Sequence, residues 1–151
     1  MAHHKIKQWC AYQERSQHET RQKLYDYGLF LEDVEDIIAT LIAENFLNEE
    51  RFALALTSGK FRIKRWGRIK IKLELKKHKV SDYLIQKALT TINDRDYEMV
   101  ILKIIEKKQS LLKSGDAQKK YFELLSYLRS RGFETDLAIE QLNHLKSENN
   151  L

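Results

Sequence analysis

The absence of proline is the feature that most limits what this chain can fold into. Its 151 residues contain no proline and only five glycines, whereas proline usually makes up about 5% of a protein. Proline and glycine disfavour helix interiors most strongly, because proline has no amide hydrogen and glycine loses the most backbone entropy. Leucine, lysine, glutamate, isoleucine and glutamine are abundant instead. The composition therefore predicts an all-α protein.

The remaining composition is typical of a soluble chain of one domain, or of a few small units with one continuous core. Apolar residues make up 42% of the chain and charged residues 32%. No segment approaches the roughly 20 apolar residues that a membrane span requires. The first residues lack the apolar run of a secretory signal, and the single cysteine, Cys10, suggests a reducing compartment. We therefore expect a cytoplasmic protein without a membrane segment.

Polar caps and glycines indicate where helices begin and end. Ser16 and Glu19 have the spacing of a capping box, in which each side chain bonds to the other residue's backbone amide. Gly28, Gly115 and Gly132 occur where helices would end in a left-handed residue. The nine predicted helices span residues 4–14, 16–27, 32–44, 49–63, 67–78, 81–92, 94–113, 116–131 and 134–146.

One segment has a pattern that fits two structures. Residues 68–75 alternate strictly between polar and apolar side chains, which by itself predicts a strand. No other run in the chain alternates, so such a strand would have no partner. Ile71 and Leu75 are four residues apart, as are Ile69 and Leu73, so two helical stripes are also present. We favour a helix.

An internal repeat organises the chain. Five columns align across three units without a gap, offset by 51 and 53 residues: Leu24, Leu75 and Leu128; Gly28, Lys79 and Gly132; Leu29, Val80 and Phe133; Ile38, Leu89 and Leu142; Leu41, Ile92 and Leu145. Chance alignment in a leucine-rich chain is the alternative. The repeat predicts three tandem three-helix units, at residues 1–47, 48–92 and 93–151, that form an elongated, curved helical stack.

Positive charge is concentrated in the middle unit. The basic segment, residues 60–79, carries one acidic side chain, Glu74, and ten basic ones: Lys60, Arg62, Lys64, Arg65, Arg68, Lys70, Lys72, Lys76, Lys77 and Lys79. Its net charge is +9, whereas the whole chain carries +5. Charge this dense favours a polyanion or an acidic protein surface as a partner. The alternative is a solvated helix face whose lysine stems cover the core. Trp66 inside the segment is either a core anchor or a platform for a base.

Groupings that would carry catalysis are largely missing from the sequence. Gly59 and Lys60 resemble the end of a phosphate-binding loop, but Leu54 occupies the position where that loop requires a glycine. There is no His-Glu-x-x-His pair and no cysteine cluster for zinc. Cys10 is expected to be a small buried apolar residue of the first helix. We therefore predict no enzyme activity, no cofactor and no metal; the alternative is an enzyme whose site is assembled from residues distant in sequence.

The chain resembles the RecX regulatory family over nearly its whole length. The middle of the resemblance is the string FLNEERFALALTSGKFRIKRWGRIKIKLELKKHKVS, which is similar to the family's aromatic-Leu-Asn/Asp-Asp-x-Arg-Phe-Ala stretch and the Gly-Pro-x-x-Ile-x-x-x-Leu-x-x-x-Gly-Ile stretch that follows it. RSQHETRQKL upstream and YLRSRGFETD downstream are similar to the corresponding family segments. Arg68 replaces the usual proline, Lys79 the usual glycine, and Glu50 the usual aspartate.

This resemblance implies a non-enzymatic modulator of the RecA recombinase in DNA recombination and repair. Such proteins have three three-helix repeats, lie in the groove of the RecA–DNA filament, and restrain ATP hydrolysis and strand exchange. The implied partners are the RecA filament and DNA, contacted directly or through the filament. From the charge pattern we expect the ten basic residues to make these contacts, and we expect the protein to be a monomer. The residues by themselves leave open a general DNA-binding module with a helix-turn-helix, or a helical-repeat adaptor for an acidic protein.

Overall fold

The structure is a computed structural model that describes residues 1–112 and 115–148. Over these residues the chain forms helices, turns and loops, with no strand. The helices found there are α1 Ala2–Tyr12, α2 Gln17–Asp26, α3 Leu31–Ala43, α4 Glu49–Arg62, α5 Arg68–Lys77, α6 Asp82–Leu89, α7 Asp94–Gln109, α8 Ala117–Ser130 and α9 Thr135–Ser147. The prediction of an all-α fold is confirmed.

Residues 68–75, whose pattern fits either a strand or a helix, are helical in the structure. Residues 68–77 form α5, in which Ile71 and Leu75 are fully buried. Ile69 and Leu73 are 48% and 62% exposed. Only one of the two apolar stripes is therefore packed inside the molecule, and the alternation along the sequence is the sum of a buried and an exposed stripe.

The predicted end of the seventh helix was wrong. α7 stops at Gln109 rather than at residue 113, six residues before Gly115, so this glycine does not end the helix. The Ser110 hydroxyl donates to the carbonyl of Lys107 at 2.7 Å. A serine that bonds to a nearby backbone carbonyl competes with the helical hydrogen bonds and favours a helix end. Residues 113 and 114 lie outside the described part of the chain.

The aligned columns of the repeat correspond to one recurring turn. Gly28, Lys79 and Gly132 all have left-handed backbone conformations, with φ of 88°, 59° and 93°. In each turn the next residue's amide donates to the carbonyl of the aligned leucine: Leu29 to Leu24 at 3.3 Å, Val80 to Leu75 at 3.2 Å, and Phe133 to Leu128 at 3.1 Å. This is the Schellman end of a helix, which satisfies carbonyls that the helix leaves free. Lys79, which replaces the family's usual glycine, therefore occupies a left-handed position.

The first of two compact units consists of Met1–Thr57 and Glu74–Ala88. Its main apolar cluster contains Ile6, Cys10, Leu24, Val34, Ile37, Ile38, Leu41 and Leu47. α2 begins with the predicted capping box: the Ser16 hydroxyl accepts from the Glu19 amide at 3.0 Å, and the Glu19 carboxylate accepts from the Ser16 amide at 2.8 Å. Cys10 is buried on α1, as expected, and burial raises the pKa of its thiol.

The second compact unit consists of Ser58–Leu73 and the described part of Leu89–Leu151. Here α7, α8 and α9 contact one another, and buried aromatic rings connect them to the end of α4. The Tyr97 ring lies 5.8 Å from that of Phe61 and 5.2 Å from that of Phe133, between centroids. The two compact units are defined by packing rather than by sequence repeats, so they do not test the repeat boundaries predicted after residues 47 and 92. Those boundaries stay a prediction.

Candidate polyanion-binding site

Seven of the ten predicted binding residues lie in the second unit. They are Lys60, Arg62, Lys64, Arg65, Arg68, Lys70 and Lys72, on the end of α4, the following turn and the first part of α5. Arg62, Lys64 and Lys72 are exposed, and the other four are partly buried. Acidic residues in the first turn of α4 and basic residues in its last turn complement the helix dipole, so Lys60 and Arg62 are favourably placed there.

The other three, Lys76, Lys77 and Lys79, lie in the first unit and are all exposed. The Lys77 ammonium lies 4.0 Å from the Glu74 carboxylate, at the limit of an ion pair. An exposed pair of this kind contributes little to stability. All three charges therefore remain available to solvent or to a partner.

Arg68 differs from the other basic residues because its charge is compensated. Its guanidinium pairs with Asp94 at 2.9 Å and with Glu134 at 3.0 Å, and its side chain is 22% exposed. The guanidinium carbon also lies 3.9 Å from the centre of the Tyr97 ring. Arg68 thus holds the start of α5 to residues at the starts of α7 and α9. Of the seven basic-segment residues in the second unit, it contributes least to the outward positive field.

Tyr97 completes this network. Its hydroxyl accepts from the backbone amide of Arg68 at 2.9 Å and donates to the Glu134 carboxylate in a short hydrogen bond. Burial, reinforced by the bond to Glu134, raises the pKa of Tyr97 well above its usual range. No pattern along the sequence pointed to Tyr97, Asp94 or Glu134, because they lie 26 to 66 residues from Arg68.

The Tyr97 network predicts a loss of stability at alkaline pH. The folded state holds the phenol proton more tightly than the unfolded chain, so this contribution is complete below pH 10.0 and declines as the pH rises above it. We expect the free energy of unfolding to fall by as much as about 1.4 kcal/mol more per pH unit there than in Tyr97→Phe. Urea unfolding from about pH 8 to 11 measures this difference. Parallel pH profiles for the two proteins would contradict it.

Trp66 brings two of the basic residues together. The Lys60 ammonium lies 4.7 Å and the Lys70 ammonium 4.5 Å from the centre of its ring. Cations over an aromatic face are attracted by its quadrupole, and these contacts fix two charges that are ten residues apart in sequence. The half-buried ring is therefore a support for lysines rather than a fully buried core anchor.

Two glycines set the position of the α4–α5 turn. The Gly67 amide donates to the Arg131 carbonyl at 2.8 Å, and the Ile69 amide donates to the Gly132 carbonyl at 3.0 Å. A Cβ on Gly67 would lie 2.3 Å from the Gly132 carbonyl oxygen, and a Cβ on Gly132 would lie 2.3 Å from the Lys70 Cβ. The two backbones therefore touch directly, and this contact holds the basic residues around Trp66 in place.

The described residues contain neither a candidate metal site nor a candidate membrane span. Across residues 1–112 and 115–148, no group of three or more His, Cys, Asp or Glu side chains is arranged to hold a metal ion. No helix in these ranges is both long and apolar enough to cross a bilayer. The site that stands out is the set of basic residues, whose chemistry is electrostatic.

Comparison with known proteins supplies the family. A profile described as "RecX, second three-helix domain" matches residues 48–89, which contain the whole basic segment. Regulatory protein RecX of Prosthecochloris aestuarii is 30% identical over 134 residues, covering 87% of this chain and 85% of that protein. The chain belongs to the RecX family. Regulatory protein RecX of Clostridium perfringens is 30% identical over 124 residues, and the match covers 81% of this chain but only 58% of that longer protein.

Solved RecX structures have the same fold. The crystal structure of RecX from Lactobacillus salivarius has a TM-score of 0.86 at 21% identity, over 96% of this chain and 94% of the other. A second RecX crystal structure has a TM-score of 0.86 at 17% identity, over 94% of this chain and 71% of the other. At these identities the likeness concerns the fold alone. The predicted membership of the RecX family is confirmed.

Proposed function

We propose that this chain is a non-enzymatic modulator, mainly an inhibitor, of the RecA recombinase. It binds in the groove of the RecA–DNA filament and restrains ATP hydrolysis and strand exchange during recombination and repair. One observation carries the proposal: the six basic-segment residues of the second unit other than Arg68 form no ion pair with a carboxylate among the described residues. Excess positive charge without internal partners is typical of a surface that meets a polyanion.

The binding residues in this proposal are the ten of the basic segment, ranked by their surroundings. Arg62, Lys64 and Lys72 are exposed and unpaired within the described chain, so they are expected to contribute most. Lys60 and Lys70 are held at Trp66, which reduces the entropy lost when they bind. Lysine suits phosphates more than base edges, so binding is expected to be insensitive to sequence. The partner is DNA, acidic RecA surface, or both.

The proposal predicts that the protein slows the DNA-dependent ATPase of its cognate RecA. We expect the steady-state rate to fall severalfold as the protein is titrated from well below the RecA concentration up to about equal amounts, because a groove ligand that bridges subunits acts on many of them. The measurement is ATP hydrolysis on single-stranded DNA, with filament length recorded in parallel by electron microscopy. An unchanged rate and unchanged filaments across that range would refute the proposal.

The same titration separates the other interpretations. A general DNA-binding module would compete for DNA, so its effect on the ATPase should vanish when DNA is in large excess over RecA. An adaptor for an unrelated acidic protein should leave the ATPase unchanged at every ratio. A RecA modulator should still act when DNA is in excess, because it recognises the filament.

A further inference from the structure

A small cleft in the second unit gathers four cations. The cavity has a volume of about 160 Å³ and lies among the end of α7, the end of α8 and the α4–α5 turn. The side chains that define its chemistry are Arg65, Lys107, Lys108, Arg131, Tyr127 and Ile104. Among the residues that the structure describes, no carboxylate lines it. Only Arg65 belongs to the basic segment, so the cleft is largely separate from the residues of the proposed function.

The charges of this cleft have no counterion within the described part of the chain. None of the four cations forms an ion pair with a carboxylate anywhere in the described ranges. The Lys108 ammonium lies 4.7 Å from the centre of the Tyr127 ring, which places a cation beside an aromatic wall. Position in the last turn of α7 explains why lysines are favoured at 107 and 108, since that helix end is negative. It does not explain the two arginines.

Arg131 supplies the more specific observation. One terminal nitrogen of its guanidinium donates to the backbone carbonyls of Lys64 and Arg65, so the group is anchored. Its Nε is buried and has no hydrogen-bond partner in the described part of the chain. A buried donor on a charged group without an acceptor is costly, and native structures rarely keep one unless something else satisfies it. Because this atom has almost no exposed surface, a ligand in the cleft would satisfy it only if the guanidinium shifted toward the ligand.

Arg65 is held in place by the same contacts. Its backbone has a φ of 55°, a left-handed conformation that an arginine adopts at a cost. The bonds from Arg131 to the carbonyls of Lys64 and Arg65 stabilise that turn. Backbone strain at a charged position, combined with an unsatisfied donor in the same cleft, is consistent with a site shaped for a ligand.

We propose that this cleft binds one phosphate group, carried either by a free nucleotide or by a nucleic-acid strand. The group is small enough for the cavity, its charge neutralises the clustered cations, and its oxygens are strong acceptors for arginine donors. Tyr127 and Ile104 provide an apolar wall for whatever is attached to the phosphate. This inference does not depend on RecA as a partner.

The test is an NMR titration of the full chain at constant ionic strength. The side-chain Nε–H signal of Arg131 is followed while inorganic phosphate, ATP or a short oligothymidylate replaces chloride. We expect saturable shifts of this signal and of the Lys107, Lys108 and Tyr127 amides with each phosphate compound. Tighter binding of the oligonucleotide than of ATP would assign the phosphate to a strand, and the reverse order would assign it to a nucleotide.

Matched variants make the result specific. Lys107→Glu should weaken phosphate binding about tenfold or more, because it removes one cation of the site. Lys119→Glu makes the same charge change at an exposed position of α8 outside the cleft and should leave binding almost unchanged. Arg65→Asn removes a second cation while keeping a residue that tolerates left-handed φ, so it should also bind weakly yet remain folded.

Two outcomes would overturn the phosphate site. One is that the cleft signals respond no more to phosphate than to chloride. The other is that Lys107→Glu and Lys119→Glu bind phosphate equally. Neither outcome affects the RecA proposal, which is tested by ATP hydrolysis and by residues of the basic segment. Conversely, an unchanged rate of ATP hydrolysis by RecA would not contradict the phosphate site, which the NMR titration tests separately.

Discussion

Gly132→Ala is expected to destabilise the second unit by about 3 kcal/mol or more. The new methyl group would lie 2.3 Å from the Lys70 Cβ and 2.6 Å from the Lys70 amide nitrogen, at a residue whose φ is +93°. The energetic costs of the backbone strain and of the steric collision add. The atoms that the methyl group would meet belong to the Lys70 backbone and Cβ, which cannot move aside as the end of a flexible side chain could. Gly67→Ala should cost a similar amount, because its methyl group would meet the Gly132 carbonyl and the Phe133 amide within 2.5 Å.

Other glycines of the same chain provide the controls. Gly28 has a φ of +88° but open space around its Cβ position, so Gly28→Ala should cost only about 1 to 2 kcal/mol from the backbone. Gly59 lies inside α4 with open space and no left-handed conformation, so Gly59→Ala should stabilise the protein by about 1 kcal/mol or less.

The chain is well suited to this measurement because its two tryptophans lie in different units. In a Trp9→Phe background, tryptophan fluorescence during urea unfolding reports only on Trp66, in the second unit. The glycine variants are then compared by their unfolding midpoints. Equal midpoints for Gly132→Ala and Gly59→Ala, both in the second unit, would show that the close backbone approach is absent in solution. Gly28→Ala, in the first unit, is followed by Trp9 in a Trp66→Phe background.

Reversing three exposed charges of the basic segment is expected to weaken DNA binding roughly 100-fold near 0.1 M salt. The variant is Arg62→Glu, Lys64→Glu and Lys72→Glu. These side chains are exposed and form no ion pair within the described chain, so the change removes binding charge without removing packing. If about five cations contact phosphates, the plot of log K against log salt should have a slope of about −4 to −5. The triple variant should reduce that slope by about three.

The matched control reverses the same number of charges elsewhere. Lys5, Lys103 and Lys119 are exposed and lie outside the basic segment. Fluorescence anisotropy on duplex DNA should show a much smaller loss for this control, and inhibition of RecA ATPase should follow the same order. If both triple variants lose affinity equally, net charge governs binding and the basic segment is not a site.

Much of the fold could be predicted because it depends on local chemistry. The capping box at Ser16 and the left-handed helix ends at Gly28 and Gly132 each follow from a few neighbouring residues, and all are present. The helical choice for residues 68–75 was correct because four-residue spacing and the lack of a partner strand outweighed the alternation. The end of α7 was missed because a single serine bond terminates the helix earlier.

The candidate site was only partly predictable because charge compensation depends on distant residues. The sequence indicates ten cations but cannot show that Arg68 is paired with Asp94 and Glu134. It also cannot show that Arg65 and Arg131, 66 residues apart, line one cleft. Such pairings arise from tertiary packing, which a pattern of neighbouring residues does not encode.

The left-handed lysine at position 79 sets stability against positive charge, which matters for protein engineering. The equivalent turns use Gly28 and Gly132, where no Cβ opposes the left-handed conformation. A design aimed only at thermal stability would therefore place glycine at 79, and in doing so would delete one of the exposed cations. The most stable version of this chain and its most basic version are thus different sequences, and the natural one lies on the basic side of that trade-off.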